Sequence, residues 1–375
     1  MPLDRSGKLS HVRPCMAEPP KQPLSPPYEL RPEMNWIDFS GASNPLGTPP
    51  SFVKAMEDAL CAGELSYAPD QEAHAFRSVL SKEYGLPASS FLVGSSVSDM
   101  VHAVAQTFEP CSVGIPVPGH AEYALAAANA GHTVVQLTSP TGFVVPDPAF
   151  AKKSGADFNA AILANPSYPT SRLLSKPTLL SYLEVCDWVV VDERSIELSM
   201  GGESMVPLVT EHQNLVVVQS LCESYALSGI PISYCVAHPD TIAQIERFYD
   251  RSGVSMFAEV LGQVALDEKG HLEHAREFLE TEIPWLQCML SLIPGVSIFP
   301  AEANYVLCLF DPGCDLELGV KDTEELVAKL QLAGFLVRKM EDTPPLDDRY
   351  FCVAVRTRQD NERLIAAMRE IVGGR

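Results

Sequence analysis

The stretch Asn214-Leu-Val-Val-Val-Gln-Ser-Leu-Cys-Glu-Ser-Tyr-Ala-Leu-Ser-Gly-Ile-Pro-Ile-Ser-Tyr234 decides how this chain is read. Its apolar, β-branched run at 215–218 has the pattern of a buried strand. The run empties into a small-residue loop at 220–224, and a second apolar strand is predicted over 232–237.

Working outward, the same strand signal recurs upstream. Apolar candidates lie at 91–93, 112–117, 133–137, 160–163 and 188–191, each separated by enough chain for a crossover, usually a helix. Seven strands in such an order predict an α/β fold, a mostly parallel sheet covered by helices on both faces. Helical pattern occupies 51–62, 72–84 and 100–107, and 240–292 is mostly helical with Pro284 and Pro294 as interruptions. A smaller α/β tail follows: strands at 296–299, 305–310, 335–339 and 350–355, and helices at 324–333 and 361–372. Residues 1–34 hold Pro19-Pro20 and Pro26-Pro27 with little periodicity, and read as an extended arm or a disordered tail.

The chain has 375 residues, 46% hydrophobic and 20% charged, enough for a large core. Its net charge of −21 argues against nucleic-acid binding, which rests on Lys and Arg neutralising phosphates. The ten cysteines are scattered, with no metal-ligand spacing, so no metal site is expected. Several, among them Cys235, Cys308 and Cys352, lie inside apolar runs, as reduced core thiols of a cytoplasmic protein would. No apolar run approaches membrane-spanning length and the N-terminus shows no apolar signal core.

Ser220, Leu221, Tyr225, Ala226, Leu227, Gly229 and Tyr234 fit, in register, a signature of class I/II aminotransferases. The chain resembles the fold-type I pyridoxal phosphate superfamily, in particular its histidinol-phosphate aminotransferase and threonine-phosphate decarboxylase branch, from about Trp36 onward. The resemblance implies a large cofactor domain over 35–265, a linking helix and small C-terminal domain over 266–375, and a homodimer. In that dimer the 1–34 arm lies across the partner, and Tyr67 of Tyr67-Ala-Pro-Asp70 reaches a cofactor phosphate in the neighbouring subunit. Two signature positions differ. Glu223 stands where the Schiff-base lysine belongs, and Pro231 where a phosphate-binding arginine belongs.

Other positions follow from the same resemblance. Asp192, closing Trp188-Val-Val-Val-Asp192, takes the place of the carboxylate that pairs with the pyridine nitrogen, at the strand end where open α/β sheets bind ligands. Gly94-Ser-Ser-Val-Ser-Asp99, opening a helix, is the phosphate cradle, with Ser96, Val97 and Ser98 as its donors and Ser220 as a further hydroxyl. A plain helix cap is the equally weighted alternative. His120 takes the ring-stacking position, Tyr168 that of an amide donor to the phenolic oxygen, and Arg194 that of an alanine packed under the ring. Asn44, in a substrate-side loop, and Cys352, at the substrate-carboxylate arginine position, complete the set.

A glutamate cannot form an imine, and no lysine occurs between Lys176 and Lys269. The expected function is therefore that of an aminotransferase-like protein unable to form the internal aldimine, with pyridoxal phosphate absent or non-covalent. It is either a non-catalytic or regulatory paralogue, with a small anionic metabolite as expected ligand, or an enzyme of altered chemistry. In the latter, Glu223, His120 and Tyr168 serve as acid/base groups. The alternative is a functional aminotransferase or amino-acid-phosphate decarboxylase that uses the cofactor non-covalently. With no ring between them, Glu223 and Arg194 are expected to form a direct or water-bridged ion pair, with Asp192 as a second acceptor for Arg194; the rival is an Arg194 turned to solvent.

Overall fold

Alternation along the central strands fixes the architecture. The strands are β1 (Ile37–Asp38), β2 (Phe91–Gly94), β3 (Ser112–Pro116), β4 (Thr133–Leu137), β5 (Ala160–Ala164), β6 (Trp188–Asp192), β7 (Leu215–Ser220) and β8 (Ser233–Ala237). They belong to a computed structural model that describes residues 36–139, 142–313 and 318–374. The arm assigned to 1–34 lies outside the described residues.

Strands β2 to β8 form one seven-stranded sheet, in the order β2-β8-β7-β6-β5-β3-β4. Within it Ala161, Leu163, Val189, Val191, Leu215 and Val217 enter one core, while Ala160, Ile162, Val190, Val216 and Val218 enter the other. A strand apolar at every position needs cover on both faces. Helices Pro50–Cys61, His74–Tyr84, Lys176–Val185 and Met256–Val264 cover the first face, burying Phe52, Phe76, Leu179 and Leu261. Helices Val97–Thr107, Ala121–Asn129 and Pro239–Ile245 cover the second through Met100, Ala127 and Ile245. This is the sandwiched, mostly parallel sheet that the strand spacing predicts.

Three local expectations change. Strand β8 runs antiparallel to both neighbours, β7 and β2, because the link from β7 carries only the short helix Leu221–Ser224 and turns straight back. Pro284 does not interrupt its helix, which continues over Lys269–Ser291. Burial of Ala275, Leu279, Ile283, Leu286 and Leu290 along one face holds the helix across the missing hydrogen bond. The single strand expected at 335–339 is two. Strand β11 (Phe335–Leu336) pairs in parallel with β1, and β12 (Arg338–Lys339) joins the second sheet, in the order β12-β13-β10-β9. That sheet contains β9 (Val296–Ile298), β10 (Tyr305–Phe310) and β13 (Tyr350–Ala354) and packs on its own core with helices Thr323–Leu332 and Arg358–Gly373. No helix among the described residues is long and apolar enough to cross a membrane.

The strand order reverses between β3 and β5, and in open α/β sheets ligands bind at the carboxyl ends beside such a point. The segments after β3, β5, β6 and β7 therefore meet there.

Candidate functional site

Asp192 ends β6 and is buried at the centre of this crevice. Its Oδ2 accepts hydrogen bonds from the Tyr123 hydroxyl at 2.5 Å, from Arg194 Nε at 2.8 Å and from Arg194 Nη2 at 2.6 Å. Its Oδ1 accepts from the Arg194 amide at 3.0 Å. Burial alone would raise this carboxyl, but the Arg194 guanidinium and these bonds outweigh it and hold the group below the usual carboxylate range. Arg194 Nη2 also pairs with Glu122 Oε1, so the guanidinium bridges two carboxylates.

The Arg194 placement resolves the two sequence expectations unequally. The side chain turns inward, not to solvent, and Asp192 is its acceptor. Glu223 is not within direct ion-pairing distance; Glu122, in the first turn of the helix after β3, takes that place. The reason is reach. Arg194 follows Asp192 by two residues and folds back on it, whereas Glu223 hangs from the short helix after β7. Glu223 Oε2 is buried and has no hydrogen-bond partner among the described residues. Burial raises this carboxyl above its ordinary value, with Arg194 and the Ser220 hydroxyl opposing the shift.

His120 caps the start of helix Ala121–Asn129, and its ring stacks on that of Tyr168, centroids 3.9 Å apart and 12° from parallel. Burial, with Arg194 nearby, pushes the imidazole down to about 3, so it is neutral. Tyr168 comes from the loop after β5, and burial pushes its hydroxyl up to about 12. With Tyr305, the first residue of β10, these rings line a cavity of about 160 Å³ that Asp192, Arg194 and Glu223 also border.

At the start of helix Val97–Thr107 the side chains form a cap. Ser96 Oγ accepts from the Asp99 amide at 3.1 Å, and the Asp99 carboxylate accepts from Ser96 Oγ at 2.7 Å and Ser95 Oγ at 3.0 Å. Val97 and Ser98 supply the first-turn amides that every helix start leaves over. A Cβ at Gly94 would run into the Tyr249 ring, whose hydroxyl accepts from the Ser95 amide at 3.0 Å. Ser220 likewise caps its short helix, accepting from the Cys222 amide at 3.0 Å.

The remaining expected residues lie apart from the cavity's charged groups. Asn44 is buried, and its Nδ2 donates to the Ser224 carbonyl at 2.8 Å while its amide donates to the Glu223 carbonyl at 2.9 Å. It clamps the turn that carries Glu223. Cys352 is buried beside Leu307, Met340 and Leu346, packed against Tyr168, and burial pushes its thiol up to about 12. Tyr67 is 75% exposed on the single chain. Sequence reasoning passed over Glu122, Tyr123, Tyr305 and Arg338. Glu122 and Tyr123 lie two and three residues after His120, in the first turn of the helix it precedes. Arg338 is the cross-strand partner of Cys352, a register no local pattern shows. Among the described residues no cluster of metal-ligating side chains is present.

Residues 34–368 match the family model for aminotransferase class I and II. The chain is 28% identical to threonine-phosphate decarboxylase of Salmonella typhimurium over 345 residues, covering 90% of this chain and 92% of that protein. The crystal structure of histidinol-phosphate aminotransferase from Clostridium acetobutylicum superimposes with a TM-score of 0.79 at 22% identity, covering 89% of this chain and 98% of that one. Histidinol-phosphate aminotransferase from Sinorhizobium meliloti, in complex with pyridoxal-5'-phosphate, gives 0.75 at 17% identity, covering 89% and 90%.

Proposed function

The chain belongs to the class I and II aminotransferase family, and we propose that within it this protein has given up pyridoxal phosphate chemistry and acts as a non-catalytic binding protein. The family is pyridoxal-phosphate-dependent. The observation that carries our reading is the Arg194 clamp on Asp192 beside a Glu223 whose buried Oε2 has no hydrogen-bond partner among the described residues.

The side chains present match the cofactor poorly. Glu223 offers no amine for an imine, and among the described residues no lysine borders the cavity. Asp192, the carboxylate a pyridinium would need, is already bound by a guanidinium and a phenol. The face of His120 is covered by Tyr168. Asp99 sets a carboxylate among the hydroxyls that would otherwise receive a phosphate. The cavity, about 160 Å³, is close to the ~150 Å³ that houses a single benzene ring in an engineered protein core. A ring bearing a phosphate arm has little room there.

A second reading, a working aminotransferase or amino-acid-phosphate decarboxylase with non-covalent cofactor, is favoured by one feature: Asp192 still stands at the end of β6. Borohydride reduction of the full chain with pyridoxal phosphate, followed by peptide mapping, tests our proposal. We expect no stoichiometric adduct and no visible absorbance band; a saturable band, or one stoichiometric adduct on a lysine near Asp192, refutes it. We further propose that the protein is a cytosolic homodimer. Tyr67 and Leu65 stand exposed on one chain, and the eight described cysteines are unpaired thiols.

A further inference from the structure

The cavity beside Asp192 has walls of two kinds. Three rings, His120, Tyr168 and Tyr305, supply aromatic surface, and Glu223 contributes a buried Oε2 with no partner among the described residues. A buried acceptor left unmatched is costly, of the order of 1–3 kcal/mol and more for a charged group, so a ligand that supplies the missing donor gains by it.

Charge decides which donor. Arg194 is the only cation on the cavity wall among the described residues, and Asp192 and Glu122 already neutralise it twice over. His120 is neutral. With Glu223 counted, carboxylates exceed cations around the space, which disfavours an anion and favours a positively charged guest. Aromatic faces beside a carboxylate are the usual setting for an organic ammonium ion. Hydrogen bonding narrows the class further. Both Asp192 oxygens are engaged, while Glu223 Oε2 accepts nothing from the described residues, so a cation with an N–H fits better than a fully alkylated one.

We propose that this cavity binds a small primary amine of about one-ring size, its ammonium hydrogen-bonded to Glu223 and its apolar body against Tyr168, His120 and Tyr305. The proposal rests on the reading of the site as free of pyridoxal phosphate. It reverses the sign of the ligand expected from the sequence, a small anion.

The amine also shifts a proton balance. Without a ligand, burial favours the neutral form of Glu223; a cation beside it favours the carboxylate, so the Glu223 proton passes to solvent on binding. The groups facing Glu223 are Arg194, Asp192, His120 and Cys222, together with the phenols of Tyr168 and Tyr305. None of these phenols is drawn toward neutral pH by its surroundings. Affinity for the amine therefore rises with pH until Glu223 is fully ionised.

The test is titration calorimetry on the full chain with benzylamine, benzyl alcohol and benzoate as same-size probes and benzyltrimethylammonium as a bulkier, fully alkylated one. Benzylamine is expected to bind at one site per chain, with proton release seen by comparing buffers of different ionisation enthalpy. Benzyl alcohol, benzoate and the trimethylated probe are expected to bind at least tenfold more weakly. Glu223→Gln, which keeps the side chain's size, is expected to remove the proton release and weaken benzylamine about tenfold or more. Benzoate or the trimethylated probe binding as well as benzylamine overturns the proposal, as does a Glu223→Gln variant with unchanged affinity. Wild-type probe discrimination needs no variant, so misfolding of Glu223→Gln leaves the test intact. If pyridoxal phosphate itself forms a stoichiometric complex, the reading of the site fails; if neither it nor benzylamine binds, only this inference does.

Discussion

The Tyr168 ring lies face to face with that of His120, 3.9 Å between centroids. An aromatic ring of the chain itself thus covers the imidazole face that the family resemblance assigns to a cofactor ring. Stacked pairs of this kind add about 0.5–1.5 kcal/mol beyond the area they bury. Tyr168→Asn, which supplies the amide that the family resemblance implies at this position, is expected to lower stability by about 1–3 kcal/mol. Denaturant melts read the loss. The variant is expected to gain no pyridoxal phosphate binding, because Arg194 still holds Asp192.

Arg194→Ala leaves Asp192 buried with only the Tyr123 hydroxyl and a backbone amide. Removing one partner of such a pair costs about 3–5 kcal/mol. The pH dependence reverses as well. In the wild type Asp192 lies below its usual range, so its contribution is present above the unfolded value of ~3.9 and is lost as pH falls through the folded one. In the variant the Tyr123 hydroxyl and one amide are too little to offset burial, which raises the carboxyl, so stability falls as pH rises through the raised value. Melting curves from pH 4 to 8 for Arg194→Ala and for Arg194→Ala with Asp192→Asn distinguish the two: the double variant is expected to lose the part of the slope that Asp192 adds and to keep the part that Glu193 contributes.

Glu193, beside Asp192 in sequence, points to the other side of the sheet. Its carboxylate accepts from the Met205 amide at 2.7 Å, Ser204 Oγ at 2.5 Å and Gln219 Nε2 at 3.0 Å, yet burial raises it to about 7. Its contribution to stability is full below the unfolded value near ~4.3 and declines as pH rises to about 7, a change of up to ~3 kcal/mol. Glu193→Gln is expected to flatten the stability profile over that window, and an unchanged slope in the variant's unfolding curves would contradict the assignment.

Glu223→Lys alone is expected to yield neither a borohydride-trapped adduct on the new lysine nor transamination. Asp192 remains bound by Arg194, Tyr168 covers His120, and the family resemblance puts Pro231 and Cys352, neither of them cationic, at the two arginine positions. Turnover of an amino acid or its phosphate ester by the single variant would show that these neighbours matter less than the lysine.

Light scattering at micromolar concentration is expected to give the mass of a dimer. The exposed Tyr67 and Leu65 then become protected, and Tyr67→Ala weakens association without altering the monomer's melt. A monomer at these concentrations would exclude this assembly.

The sheet was legible because its strands are apolar at nearly every position, which only a layer covered on both faces accommodates; runs such as 188–191 and 215–218 carry that information locally. Asp192 at the end of its strand and Glu223 in the segment just after the next could likewise be placed by local pattern, since strand ends follow from the runs themselves. The direction of β8 could not be read, because a link with a four-residue helix suits a return as well as the start of a crossover. Nor could the partner of Arg194. A long, flexible side chain pairs with whichever carboxylate the packing brings within reach, and here Glu122, 72 positions away in sequence, was carried there by the helix after β3. The stacking of Tyr168 on His120 and the unmatched Oε2 of Glu223 belong to the same class. Sequence determined which groups stand at the mouth of the sheet, by local hydrophobic period; only the tertiary structure decided which of them satisfy one another, because that depends on distances between segments far apart in the chain.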